Sequence, residues 1–339
     1  HSHAFQRGLR GRGERTSSPE DDFWAWRAGM YELAESLDPA SMRAVAGEVF
    51  GEMRANGYGA VGEFHYVHHR PDGTPYEAPN TLLEAVADGA DDAGLPLVAL
   101  PAAYHRGGHA RFRDASLDDF LARVEGLAVP HGIAAHSVRA VPAEWLREIA
   151  AYSEAQGLVR HVHASEQPRE LEECQAEHGC SPIELLHRCG FLGPRASVVH
   201  ATHVSDRDVA LLADTGTTVV ICPTTEGNLG DGTPPLAAFA EAGIPLAIGS
   251  DSQVRIDPFE EARELETLAR RSNLTRHALL ARTGDLWAEL VANGLRSLGL
   301  SSSLEITIDR DHPDLRGVTD ADLPLALATC ASAGVVCTS

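Results

Sequence analysis

The chain has 339 residues, 43% of them hydrophobic and 23% charged, a composition that supports one large barrel or two ordinary domains with a sizeable core. Its formal net charge is −21 and all 28 basic residues are arginine, which argues against nucleic-acid or anionic-membrane binding. No apolar run approaches the roughly 18 residues of a membrane span, and the six cysteines form no CxxC or zinc-ribbon spacing, as expected of reduced thiols in a cytoplasmic protein.

The chain opens on His1-Ser2-His3, with no initiating methionine and no secretory signal pattern. Two histidines separated by one residue at a strand end point their imidazoles to the same side. That arrangement suits one metal ion bound through two Nε2 atoms at about 2.0–2.1 Å. A Gly/Arg-rich loop over residues 7–14 follows, then the aromatic cluster Phe23-Trp24-Ala25-Trp26-Arg27. The spacing of Met42, Val45, Val49 and Met53 predicts a helix over residues 39–56.

From there β-rich runs alternate with helical stretches. The runs are residues 60–66, 95–104, 132–137, 158–164, 196–201, 217–223 and 245–250, and the stretches include 143–156, 206–214 and 234–242. Such alternation implies an α/β fold with parallel pairing. A further strand just before His1 would complete a (β/α)8 barrel. A doubly wound open sheet is the alternative, but no Gly-rich phosphate turn follows any run. Residues 257–300 are predicted helical, so residues 1–300 make the catalytic barrel. Residues 301–339 hold two weak strand candidates, 304–308 and 334–337, and resemble part of a small β module.

Barrel enzymes place their chemistry at the C-terminal ends of their strands. Here the runs finish in Glu63-Phe64-His65-Tyr66, His136-Ser137-Val138-Arg139, His161-Val162-His163-Ala164-Ser165-Glu166, His200-Ala201-Thr202-His203 and Gly249-Ser250-Asp251-Ser252. A buried apolar strand has no packing reason to end repeatedly in His, Glu or Asp. One zinc polyhedron assembles from His1, His3, a histidine of the 158–164 run (His161 or His163) and Asp251, with a position left for water. Glu166 is placed to move a proton, and His200 to hydrogen-bond the attacked centre. Arg139, three residues past His136, suits a substrate carboxylate through a bidentate pair.

In order, the motifs HSHAFQ, EFHYVHH, HSVRAV, HVHASEQ, VVHATH and GSDS resemble the formimidoylglutamate deiminases of the amidohydrolase superfamily, from His1 to about residue 300. The resemblance implies a distorted (β/α)8 barrel with a small β-sandwich domain. It also implies one divalent ion, Zn2+ or else Fe2+, and hydrolysis of N-formimidoyl-L-glutamate in histidine degradation. Carried over motif by motif, His1, His3, His163 and Asp251 match the metal ligands, Asp251 also serving catalysis. Glu166 matches the proton shuttle and His200 the histidine near the attacked carbon. Gln6, Arg27, Tyr66, His136 and Arg139 match positions that contact a small anionic substrate, while His65, His68 and His69 are assigned to structure or surface. Gln253 stands where this pattern leads one to expect a histidine. With no lysine in the chain, the carboxylated lysine that bridges two metals in many amidohydrolases cannot form, which favours a mononuclear site. A homodimer is the assembly that the superfamily implies. The rival functions are deamination of a heterocyclic base or nucleoside and, from another class, a scaffold that kept the barrel and lost the chemistry.

Overall fold

The computed structural model describes residues 1–15 and 23–337. Seven parallel strands lie side by side in sequence order: β1 (Val61–His65), β2 (Leu97–Ala103), β3 (Ile133–Ser137), β4 (Arg160–Ala164), β5 (Ala196–His200), β6 (Thr218–Ile221) and β7 (Leu246–Ile248). Each falls inside one of the predicted runs. The sheet curls until its two edges meet across the N-terminal tripeptide, where Ser2 bridges in parallel to both Glu63 and Asp251. Backbone hydrogen bonds seal that seam: Phe64 N–H donates to the Ser2 carbonyl at 2.9 Å, His3 N–H to the Asp251 carbonyl at 2.9 Å, and Asp251 N–H to the His1 carbonyl at 3.1 Å. The sequential order and this closure make a barrel of the distorted (β/α)8 type, not a doubly wound sheet.

The helices are α1 (Phe23–Glu35), α2 (Pro39–Ala55), α3 (Thr81–Ala93), α4 (Leu117–Glu125), α5 (Ala143–Gln156), α6 (Pro168–His178) and α7 (Pro182–Arg188). After them come α8 (Asp206–Thr215), α9 (Pro223–Leu229), α10 (Leu236–Glu241), α11 (Pro258–Asn273), α12 (Leu279–Thr283), α13 (Leu286–Leu298) and α14 (Leu323–Thr329). Their ends follow local chemistry. Asp38 and Ser41 form a capping box with Pro39 in the first turn of α2, and Gly216 ends α8 in the left-handed region at φ 63°. The strands are short, buried and rich in Val and Ala, as expected where helices cover the sheet. On α2 the inward face is Met42, Ala46, Val49, Phe50 and Met53, while the predicted Val45 is only half-buried.

The tail differs from the sequence expectation. Residues 304–308 and 334–337 meet only at one antiparallel bridge, Ile308 with Val336, and the segment between them carries α14. That helix buries Ala326 and Leu327 in a cluster with Phe259 of α11, Leu315 and Val335, outside the barrel. The longest regular element of the described tail is therefore helical, because its Leu/Ala-rich stretch finds an apolar helix face to cover. An apolar cavity of about 390 Å3 runs beside the seam, between Gly59–Gly62 on one side and Ala247 and Leu298 on the other. Among the described residues no helix is long and apolar enough to cross a membrane.

The link between α7 and α8 gives a stability test remote from the strand ends. Buried Asp208 accepts from Ser205 N–H at 2.9 Å and from the Ser181 hydroxyl, closing the capping box of α8 and tying it to the N-cap of α7, the helix before it. Asp208→Ala is expected to lower the unfolding free energy by about 2 kcal/mol, a cap plus a buried hydrogen bond. Equilibrium urea unfolding measures this, and bound metal should be unchanged.

Candidate active site

The strand exits converge as the barrel geometry requires. His1 and His3 sit at the seam, His163 near the end of β4, and Asp251 just past β7. Gly249 allows the close approach, since a Cβ there would lie 2.8 Å from the His1 carbonyl oxygen. His1 Nε2 and His3 Nε2 lie 3.1 and 3.2 Å from Asp251 Oδ1, and His163 Nε2 lies 3.1 Å from His1 Nε2 and 3.3 Å from His3 Nε2. A tetrahedron with metal–ligand bonds near 2.05 Å has edges of about 3.3 Å.

Hydrogen bonding decides what these atoms offer. His3 Nδ1 faces the Phe64 carbonyl at 2.8 Å and His163 Nδ1 the His136 carbonyl at 3.0 Å, so each Nδ1 carries the proton. Both Nε2 atoms are left as lone pairs, aimed at each other and at Asp251 Oδ1, which has no hydrogen-bond partner among the described residues. Acceptors facing acceptors without a proton between them fit a divalent cation. The Asp251 carboxyl is raised by burial but lowered more by the closeness of His3, His200 and His163, and it ends well below the usual carboxylate range. Burial, with His3, His136 and His200 nearby, holds His163 well below the usual imidazole range. His161, two residues deeper on the same strand face, hydrogen-bonds the Ser297 carbonyl at 2.8 Å instead.

Behind the seam lies a polar clasp. Glu63 of β1 accepts from the Ser2 hydroxyl at 2.5 Å and from Ala4 N–H at 2.8 Å. Gln253, in place of the expected histidine, donates from Nε2 to Ser2 Oγ at 2.8 Å and to the Asp251 carbonyl at 3.1 Å. It therefore ties the two ligand-bearing segments together from outside the ligand set. Burial raises the Glu63 carboxyl to about 7, against the pull of Ser2 and His3.

Ten of the eleven candidate residues, all but His1, line one cavity, roofed by Phe23, Trp26 and Met30 of α1 and by Leu229. A register shift between Ala135 and Ser137 interrupts β3 and re-aims His136, whose ring lies 4.5 Å from Tyr104 and 5.1 Å from Tyr66. Gln6 Nε2 donates to the Tyr66 hydroxyl at 2.9 Å, and Arg27 Nη2 to the Tyr104 hydroxyl at 3.0 Å. Arg139 Nη2 lies 3.6 Å from Glu166 Oε2 and its Nε 3.9 Å from Glu170 Oε2, too long for the bidentate pair this fork can make. Glu166 Oε1 stands 3.7 Å from His200 Nε2, whose Nδ1 is 3.2 Å from Glu226 Oε1. Burial lowers His200, but Glu166, Glu226 and Asp251 together raise it to about 10. His65 and His68 are buried and bonded to the Val67 and Ala102 carbonyls, hence structural.

Tyr104, Glu170 and Glu226, which meet Arg27, Arg139 and His200, are not legible in the sequence as site residues, and neither are Asp231, close to Glu166 and His200, or Glu63. Glu226 and Asp231 lie beyond the exit of β6, where Cys222-Pro223-Thr224-Thr225-Glu226 ends no obvious polar run. The acid five residues after that strand is the available signal.

Residues 1–304 match the amidohydrolase family. The chain is 36% identical over 321 residues to the formimidoylglutamate deiminase of Pseudomonas aeruginosa, covering 88% of this chain and 70% of that protein. It is 32% identical over 204 residues to a 5-methylthioadenosine/S-adenosylhomocysteine deaminase of Halobacterium salinarum, covering 57% of this chain and 47% of that one. Among solved structures, an amidohydrolase from Brucella melitensis superposes with a TM-score of 0.88 at 31% identity, over 99% of this chain and 82% of that chain.

The clasp makes a prediction about the metal centre. Glu63→Gln leaves the four candidate donors in place but replaces one of the two oxygens that accept from Ser2 and Ala4 with an amide nitrogen that cannot accept. Zinc affinity, measured by competition with a chromophoric chelator, is expected to fall about 10–100-fold. Unchanged affinity would mean that the clasp does not hold the ligands.

Proposed function

The chain belongs to the amidohydrolase family, and from that membership we propose that it hydrolyses N-formimidoyl-L-glutamate to N-formyl-L-glutamate and ammonia, a step of histidine degradation. At the coarser level it is a hydrolase of C–N bonds, and its family is metal-dependent. The observation that carries the finer step is the pair of cavity arginines, Arg27 and Arg139, in a chain of net charge −21. Two guanidiniums suit a substrate with two carboxylates, and the local fork outweighs the distant acidic surface, since screening sets in beyond about 8 Å at physiological salt.

His1, His3, His163 and Asp251 would hold one zinc ion. When bound, such an ion supplies Lewis-acid activation of water and of the group under attack. Asp251, with a carboxyl kept ionised by its histidine neighbours, accepts the proton of the attacking water. Both water protons end on the departing nitrogen, which leaves as ammonia; Glu166 carries one of them there, and His200, across 3.7 Å from Glu166, faces the tetrahedral centre. Arg139 and Arg27 hold the glutamate carboxylates, with Gln6, Tyr66 and His136 completing the wall.

The test is ammonia release from formimidoylglutamate set beside 5′-methylthioadenosine and guanine, with metal content measured on the same sample. Expected are turnover of the amidine and one zinc per chain, and loss of both zinc and turnover in Asp251→Ala. Arg139→Met should lower kcat/KM for formimidoylglutamate about 100-fold, the loss of a charge-assisted bidentate pair. A nucleoside deaminase is the second reading, favoured by the 32% identity to the Halobacterium salinarum protein. Turnover of 5′-methylthioadenosine, with Arg139→Met nearly silent on it, would establish that reading instead.

A further inference from the structure

We propose that Glu226 is a positioning residue that holds His200 by Nδ1 and so turns Nε2 onto the reacting centre. His200 closes β5 in the left-handed region at φ 74°, and Ala201 follows at φ 49°. This sharp exit throws the imidazole off the strand path. Its ring stacks on that of His163, with centroids 5.5 Å apart and planes 19° from parallel. Stacking fixes the plane of a ring but not its edge, because a half-turn about Cβ–Cγ exchanges the nitrogen and carbon edges at little steric cost. Something else must select the edge.

Glu226 makes that selection. Its Oε1 lies 3.2 Å from His200 Nδ1 and also accepts from Cys222 N–H at 2.9 Å, so the carboxylate is itself anchored at the start of α9. It is 1% exposed, and its Oε2 has no hydrogen-bond partner among the described residues. Satisfying the Cys222 N–H alone would need only a neutral amide oxygen. A buried carboxylate with one oxygen unpaired is costly unless its charge is used, and the ring nitrogen it faces is that of His200. With Nδ1 held, Nε2 is left pointing across 3.7 Å to Glu166 Oε1.

A double-variant cycle tests this. Glu226→Ala should lower kcat about 30–100-fold while zinc content stays unchanged and KM stays within about threefold. In a His200→Asn background the same change should have no further effect, because Glu226 acts only through that ring. An equal loss in both backgrounds, or wild-type kcat in Glu226→Ala, overturns the proposal. Should Glu226→Ala fail to fold, Glu226→Gln keeps the Cys222 bond and should lower kcat about tenfold, as a neutral acceptor replaces a charged one. Wild-type kcat there overturns it too. The cycle depends on the hydrolytic function only in that His200 acts in turnover, and it uses whichever substrate the ammonia panel identifies. With no substrate at all, 15N-histidine NMR reads the His200 Nδ1–H signal, assigned by its absence in His200→Asn. It should shift or vanish in Glu226→Ala, and its persistence unchanged overturns the proposal.

Discussion

His3 and His163 present bare ring nitrogens and, with His1, crowd the carboxylate of Asp251 at separations of 3.1 to 3.3 Å. Such a set needs positioning from outside, since in a buried setting repulsion between like lone pairs is poorly screened. It persists because each element that brings a donor is fixed by bonds that do not involve the donor atom. His3 and His163 are held by the carbonyls of Phe64 and His136, which belong to β1 and β3. The seam is held by Glu63 and Gln253 through Ser2, a residue that ligates nothing. The barrel's own hydrogen bonds thus fix the four donor side chains, the arrangement by which a scaffold gains affinity without reorganising on binding.

The same end of the barrel collects backbone strain. Of the six non-glycine residues with positive φ among those described, five sit at strand exits: Ser165, His200, Ala201, Asp251 and Gln253. Each such residue costs of order 1–3 kcal/mol, so the total is comparable to the whole stability of an ordinary domain. The offset lies below. Ala134, Ala135, Val162, Val198 and Val219 fill the strands with close-packed small side chains, and helices cover them outside. Stability is concentrated in the body of the barrel and strain at its mouth, a division that lets the mouth be shaped by chemistry.

Much of this is legible in the sequence, for a physical reason. Strands buried on both faces must be short apolar runs, so all seven announce themselves, and a His, Glu or Asp ending such a run stands out against a background with no use for it. That contrast is why His163, Glu166, His200 and Asp251 are readable. Residues whose role is set by a partner far along the chain are not. Glu63 stands beside an obvious motif, yet its meaning depends on a hydroxyl 61 positions earlier. Glu226 sits inside α9, a seven-residue helix with no repeating pattern, and only the coordinates put it against His200. The tail is hard to read for another reason: short runs such as 304–308 are ambiguous by periodicity, and the surface that α14 covers belongs to α11, far away in sequence.

The pairing of Arg139 links substrate choice to chemistry. Its guanidinium lies between Glu166 and Glu170 at 3.6 and 3.9 Å, and its Nε has no hydrogen bond among the described residues. A carboxylate docking on that fork at about 2.8 Å would gain two charge-assisted bonds that neither glutamate makes. In the proposed reaction this draws the arginine away from Glu166, leaving the glutamate facing His200 and the departing nitrogen. A neutral heterocycle offers the fork nothing, and Arg139 would stay beside the proton carrier it partly neutralises. Discrimination then arises not only from how tightly a dianion is held but from whether Glu166 is released to act, so that recognition remote from the scissile bond is expressed in turnover.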